Sequence, residues 1–162
     1  MDIDTKAYVV GLLESYQKRS KQIELLHYEL SHPVRASENE IIEALALGHR
    51  EGEGGGSGGY ASDKTLYIAL NYQARTDYIN GKAAEEVAEQ LVTLEREQER
   101  LKYYVSLLEA RQEKVIRSFY FEGMTQDEVA DALEVTVRYV HSIKAKAIIE
   151  LASMYEYVGG FR

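Results

Sequence analysis

The 162-residue sequence contains no cysteine, no tryptophan and a single proline, Pro33. Without cysteine there is no disulfide framework, no thiol nucleophile and no thiolate metal site. That absence fits a reducing compartment, and a cytoplasmic location is expected. No run of about 18 apolar residues offers a membrane span. The opening Met-Asp-Ile-Asp-Thr-Lys lacks the basic-then-apolar order of a secretory signal. Scarce proline, together with many Glu, Lys, Leu and Ala residues, predicts an all-α protein. The hydrophobic share of 45% is enough for a buried core.

The histidines, at 27, 32, 49 and 141, lack metal-ligand spacing. The carboxylate pairs Asp127-Glu128 and Glu85-Glu86 read as a helix cap and a charged face. No nucleophile stands with a base, so no catalytic residue, no metal site and no cofactor is expected, and the chain is read as a non-enzyme.

Periodicity divides the chain into four segments. Residues 1–47 form an N-terminal helical segment. Within it one helix is expected from Asp4 to Leu30, with Val9, Leu12, Leu13, Tyr16, Ile23, Leu26 and Leu30 on its apolar stripe. It ends at Ser31-His32 because the residue before proline is pushed out of helical conformation. A short helix, about Glu38 to Leu47, follows. Residues 48–62 form a flexible loop: Gly48 to Gly59 holds seven glycines in twelve positions, with neither the preceding strand nor the following Lys-Ser/Thr of a phosphate-binding loop. Residues 63–108 are expected to form a helical hairpin that turns at Asn80-Gly81. Its second arm carries a heptad seam of Val87, Leu91, Leu94, Gln98, Leu101, Val105 and Leu108. The seam packs either within the chain or against a second copy as a homodimer through the helical body.

Residues 109–162 carry the most specific pattern. A helix is expected from about Glu109 to Tyr120, stopped by Glu122-Gly123. Thr125-Gln126-Asp127-Glu128 is a capping box: the Thr hydroxyl accepts from a backbone N–H and Glu128 reaches back. A short helix to Leu133 follows, with Val129, Ala130 and Leu133 inward. After the turn Leu133-Glu134-Val135-Thr136, Thr136 caps a second helix with Val140, Ile143, Ala147 and Leu151 inward. Two capped helices joined by a tight turn are the geometry of a DNA-reading helix-turn-helix.

The net charge of −8 opposes a simple nucleic-acid binder, but its distribution decides. From Thr136 to Ile149 the chain has Arg138, Lys144 and Lys146 and no acid. The N-terminal half of the second helix would enter the major groove of double-stranded DNA, with Val137, Arg138, Tyr139, His141 and Ser142 toward base edges. Arg138 suits guanine and Val137 a thymine methyl. Thr125, Gln126 and Thr136, at helix N-termini, suit phosphate, as do Lys144 and Lys146.

The segment Leu108 to Leu151 resembles region 4 of bacterial sigma factors. The likeness rests on Glu128, Val129, Ala130, Leu133, Val135 and Thr136 in the first half of the motif, and on Val140, Ile143, Lys146 and Ala147 in the second. The whole layout is also similar to small phage-encoded transcriptional regulators of the RinA and ArpU type. The resemblance implies a DNA-binding transcriptional regulator and RNA polymerase as a further partner. Two other readings stay open: a small-terminase-like recognition subunit of phage DNA packaging, and a protein-binding module that contacts polymerase. Sigma factors read promoters with Arg, Glu, Arg and Gln where this chain has Val137, Arg138, His141 and Ser142, which implies a different target. Nothing in the sequence resembles the aromatic-rich sigma region that melts DNA.

Overall fold

A computed structural model describes residues 3–32, 39, 40, 43 and 61–159; the side chains of 3, 4, 61–71, 73 and 75 lie outside that description. The described elements are helical: α1 (Ile3–Glu14), α2 (Tyr16–Ser31), α3 (Ala61–Ser106), α4 (Ala110–Ile116), a π-helical turn (Arg117–Phe121), α5 (Gln126–Leu133) and α6 (Val137–Val158). The fold is all-α, as the composition implied. The glycine-rich loop expected at 48–62 lies outside the described residues apart from Ala61 and Ser62, which are helical, and so does most of the short helix expected at 38–47.

The expected turn at Asn80-Gly81 is absent, and the hairpin expected within 63–108 is one helix through both residues. A glycine inside a helix costs about 1 kcal/mol relative to alanine, which weakens a helix without breaking it. Ala83, Ala84, Glu85 and Glu86 follow at once, all able to carry the helix onward. Only proline would have removed a ladder hydrogen bond there.

The single helix expected from Asp4 to Leu30 is interrupted at Ser15. The Ser15 hydroxyl donates to the Gly11 carbonyl at 2.7 Å, competing with the backbone N–H that donates to the same oxygen at 3.0 Å. Such back-bonding bends a helix. The ladder still bridges the site, since the Arg19 N–H donates to the Ser15 carbonyl at 2.8 Å. The end of α2 at Ser31 falls where Pro33 predicted it.

The chain forms two compact units, Met1–Glu24 with Val92–Arg162, and Leu25–Leu91. In the second unit the rings of Tyr28 and His32 stack at 4.2 Å, Leu91 is buried, and Leu25, Tyr28 and Tyr78 are exposed.

The first unit holds the core, in two clusters. The larger one joins Val9, Leu12 and Leu13 of α1 with Leu101, Tyr104 and Val105 of α3, Ile116 of α4 and Ala147, Leu151 and Tyr155 of α6. Half of the expected heptad seam is therefore spent inside the chain, and the N-terminal helix packs on the C-terminal one. The smaller cluster, Val115, Val129, Ala130, Val140 and Ile143, is the core of α4, α5 and α6 alone.

Gln98, the polar residue of the seam, is buried against α2. The Arg19 Nε donates to its Oε1 at 2.6 Å, and its Nε2 donates to the Ser20 hydroxyl at 2.7 Å. Arg19 is only 4% exposed and also donates to the Leu12 carbonyl at 2.9 Å and the Ser15 hydroxyl at 3.0 Å. Glu97 lies 3.6 Å from its Nη1. The guanidinium, which stays charged, is thus satisfied on several sides, as a buried charge must be.

Tyr155 is fully buried between Tyr8 and Tyr104, with ring centroids at 5.7 and 4.8 Å, and its hydroxyl meets no partner among the described residues. A buried hydroxyl without a hydrogen bond costs about 1–3 kcal/mol. Tyr155→Phe removes that cost and keeps the ring. It is expected to raise stability by about 1–2 kcal/mol, read as a higher urea midpoint; a lower midpoint would show that the hydroxyl is satisfied.

Candidate nucleic-acid interface

The interface is built from three local devices. The first is the stop after the π-helical turn. The Glu122 N–H donates to the Arg117 carbonyl at 2.9 Å, five residues back, and the Met124 N–H to the Ser118 carbonyl at 3.0 Å. Gly123 sits between them at φ +73°, and an added Cβ would run into the Gln17 amide. The left-handed backbone angle is what favours glycine there, since the exposed Gln17 side chain could swing aside.

The second device is the capping box of α5. The Glu128 N–H donates to the Thr125 hydroxyl at 3.3 Å, while the Thr125 N–H and hydroxyl donate to the Glu128 carboxylate at 2.7 and 2.9 Å. These bonds hold the Glu128 carboxyl below the usual carboxylate range. The contribution is therefore present above the ordinary glutamate pKa and lost as pH falls through the lowered one. The third device is the turn. Glu134 takes a left-handed φ of 54°, and its N–H closes α5 on the Ala130 and Asp131 carbonyls. The Thr136 hydroxyl then accepts from the Tyr139 N–H at 3.2 Å and starts α6.

α6 buries Val140, Ile143, Ala147, Ile148, Leu151, Ala152 and Tyr155. What remains outside is a strip of Arg138, Ser142, Ala145 and Ile149, spaced by three and four and all exposed. Lys146 and Tyr139 flank it on one side and His141 on the other, all exposed, and Val137 is half-buried against the small core. Among the residues singled out in the sequence, Arg138, Tyr139, His141, Ser142 and Lys146 thus share the outward side of α6. Thr136 caps its start, and Thr125 and half-buried Gln126 stand at the start of α5.

Lys144 is placed apart. Two residues beyond Ser142 is about 200° around a helix, and the Lys144 ammonium lies 4.1 Å from the Phe119 ring centroid and 6.0 Å from that of Tyr120. Burial pulls its pKa down, with Glu14 opposing that effect. With Glu14, Gln17, Phe119, Tyr120 and Gly123 it lines an open cavity of about 400 Å³. A cation over an aromatic face contributes to packing, and this one fastens α6 to the turn that precedes α5.

Three residues of this surface were not anticipated. Ala145 and Ile149 follow from stepping three and four residues on from Ser142, and that spacing could have found them. Arg111, in the first turn of α4, donates to the Tyr139 hydroxyl at 3.2 Å across 28 residues of sequence, and no local pattern announces that contact. Among the described residues no group of three potential ligands is placed to hold a metal ion, and no helix is long and apolar enough to cross a membrane.

No curated protein and no solved structure matches the chain. Residues 105–152, spanning the end of α3 through most of α6, match the family model described as Sigma-70, region 4. This part of the chain is a sigma-region-4-like, DNA-binding helix-turn-helix.

Proposed function

We propose that the protein is a sequence-specific transcriptional regulator that reads the major groove of double-stranded DNA with the first turns of α6. The observation that carries this reading is the outward side of α6, which holds Arg138 and Lys146 and no acid from Thr136 to Ile149 in a chain of net charge −8. Arg138 presents two parallel donors that suit the O6 and N7 of guanine. His141 and Ser142 supply further hydrogen-bonding groups, and Val137 an apolar contact for a thymine methyl. Lys146, Tyr139 and Arg111 lie where phosphates flank the groove; Thr125, Gln126 and Thr136 bring helix N-termini toward phosphate. The similarity of the layout to small phage-encoded regulators supports a phage-type protein that acts in the cytoplasm beside RNA polymerase.

The test is salt-dependent binding of a fluorescent duplex. Removing one phosphate-binding cation flattens the plot of log affinity against log salt by about one unit. Lys146→Ala is expected to flatten it by about that much. Lys144→Ala is expected to leave the slope unchanged, because its ammonium is seated on the Phe119 ring. Absence of any shift with duplex DNA would refute the reading itself, and an equally flattened slope in both variants would refute the placement of Lys144.

A further inference from the structure

The open cavity behind the reading helix, about 400 Å³, has the size of a small-molecule site. Three parts of the chain meet there. Glu14 ends α1, and Gln17 stands in the first turn of α2. Phe119 and Tyr120 come from the π-helical turn, and Gly123 from the stop after it. Lys144 comes from the side of α6 turned away from Ser142. All six lie in the first compact unit. Single π-helical turns are rare and concentrate at functional sites; this one supplies the cavity with two aromatic walls.

The charged groups of this cavity are not spent on each other. Among the described residues neither Glu14 nor Lys144 forms an ion pair, and the Tyr120 hydroxyl makes no hydrogen bond. The Lys144 ammonium sits over the Phe119 ring instead, 4.1 Å from its centroid. The Glu14 carboxylate is still near enough for its field to be felt. Burial lowers the Lys144 pKa while Glu14 opposes the fall, and burial, with Glu14 second, raises that of Tyr120. Gln17 is tied only by a long bond, from its Nε2 to the Phe121 carbonyl at 3.5 Å. A half-buried cation and a carboxylate thus line one opening with a gap between them.

We propose that this cavity binds a small zwitterion, a molecule with one carboxylate and one ammonium on an aliphatic frame. The two wall charges select it. An anion drawn to Lys144 would be repelled by Glu14, and a cation drawn to Glu14 would be repelled by Lys144. A molecule with both charges meets each in its attractive sense, and its aliphatic part lies against the Phe119 and Tyr120 rings. The ligand joins the end of α1 to the back of α6, so it is placed to regulate the reading helix. That role rests on the DNA-binding reading; the site itself does not.

The test is a titration of the full chain, without DNA, followed by the NMR shifts of its backbone amides. The probes are L-leucine and 6-aminohexanoate, which carry the two charges close together and far apart. Hexanoate and hexylammonium, with one charge each, are the controls. At least one zwitterion is expected to shift the Gly123 and Lys144 amides saturably, and to bind about tenfold or more tightly than either control, the usual worth of a hydrogen bond to a charged group. Glu14→Gln and Lys144→Met are each expected to weaken it by a similar factor. Glu14 is exposed, so its variant keeps the fold whatever Lys144 contributes to packing. No saturable shift with either zwitterion, a control that binds as tightly, or binding indifferent to Glu14→Gln would each overturn the proposal. Saturable binding by a chain that retards no duplex would uphold the site and refute the DNA-binding reading.

Discussion

Gln98→Leu is expected to destabilise the fold by about 2–3 kcal/mol, the usual worth of a hydrogen bond to a charged group, although leucine is the residue the heptad pattern asks for. On sequence grounds alone the substitution completes the seam and should stabilise. In the structure the Gln98 Oε1 is the partner of the Arg19 Nε at 2.6 Å, and Arg19 is 4% exposed. Guanidinium cannot shed its proton to escape burial. Its remaining partners, the Leu12 carbonyl and the Ser15 hydroxyl, are engaged through Nη2 and Nη1 and cannot turn to Nε. Leucine would fill the same space, but the aliphatic stem of Gln98 already supplies most of that contact. In a domain of this size the loss corresponds to about 4–12 °C in Tm, measured by circular dichroism. Adding Arg19→Met is expected to recover at least half of it, because removing both polar partners leaves no buried group unpaired. A melting temperature raised by Gln98→Leu alone would show that the network contributes nothing.

That pair also marks where sequence reasoning stops. Gln98 was legible as a polar residue in an apolar seam, but its partner was not. Arg19 lies 79 residues away in α2, where the expected apolar stripe steps from Tyr16 to Ile23, and nothing local pairs the two. Local grammar fared better. Pro33 placed the end of α2, the threonines at 125 and 136 started α5 and α6, and Gly123 closed the π-helical turn, because each acts on backbone groups within a few residues. Asn80-Gly81 misled for the same reason. A dipeptide states a preference worth about 1 kcal/mol, and the helix formers that follow it, Lys82 to Glu86, outweigh it. The helix-turn-helix was legible because its caps, turn and inward stripe are all local. Lys144 was not, since a basic residue on a reading helix and one seated on Phe119 look identical until the turn before α5 is folded against α6.

Arg138→Ala is expected to weaken binding to the selected target by about 5–150-fold, the equivalent of about 1–3 kcal/mol for one bidentate base contact. Binding to random duplex is expected to change far less, by about twofold. The contrast matters more than the size. A phosphate contact carries no sequence information, so deleting it weakens every duplex alike, whereas deleting a base contact is felt only where the right base stands. Arg138 is the second residue of α6, in the first turn after the Thr136 cap, and begins the outward strip that continues through Ser142, Ala145 and Ile149. In the proposed complex that position would bring the guanidinium to the groove floor rather than to the strand behind it. Arg138→Lys sharpens the test. Lysine keeps the charge and loses the planar fork, so it is expected to restore random-duplex binding fully and target discrimination only in part. Target sites selected from a random pool by the arginine protein should carry a fixed guanine that the alanine variant no longer selects. If both variants weaken target and random duplex by the same factor, Arg138 holds the backbone, and the choice of bases falls to His141 and Ser142 beside it.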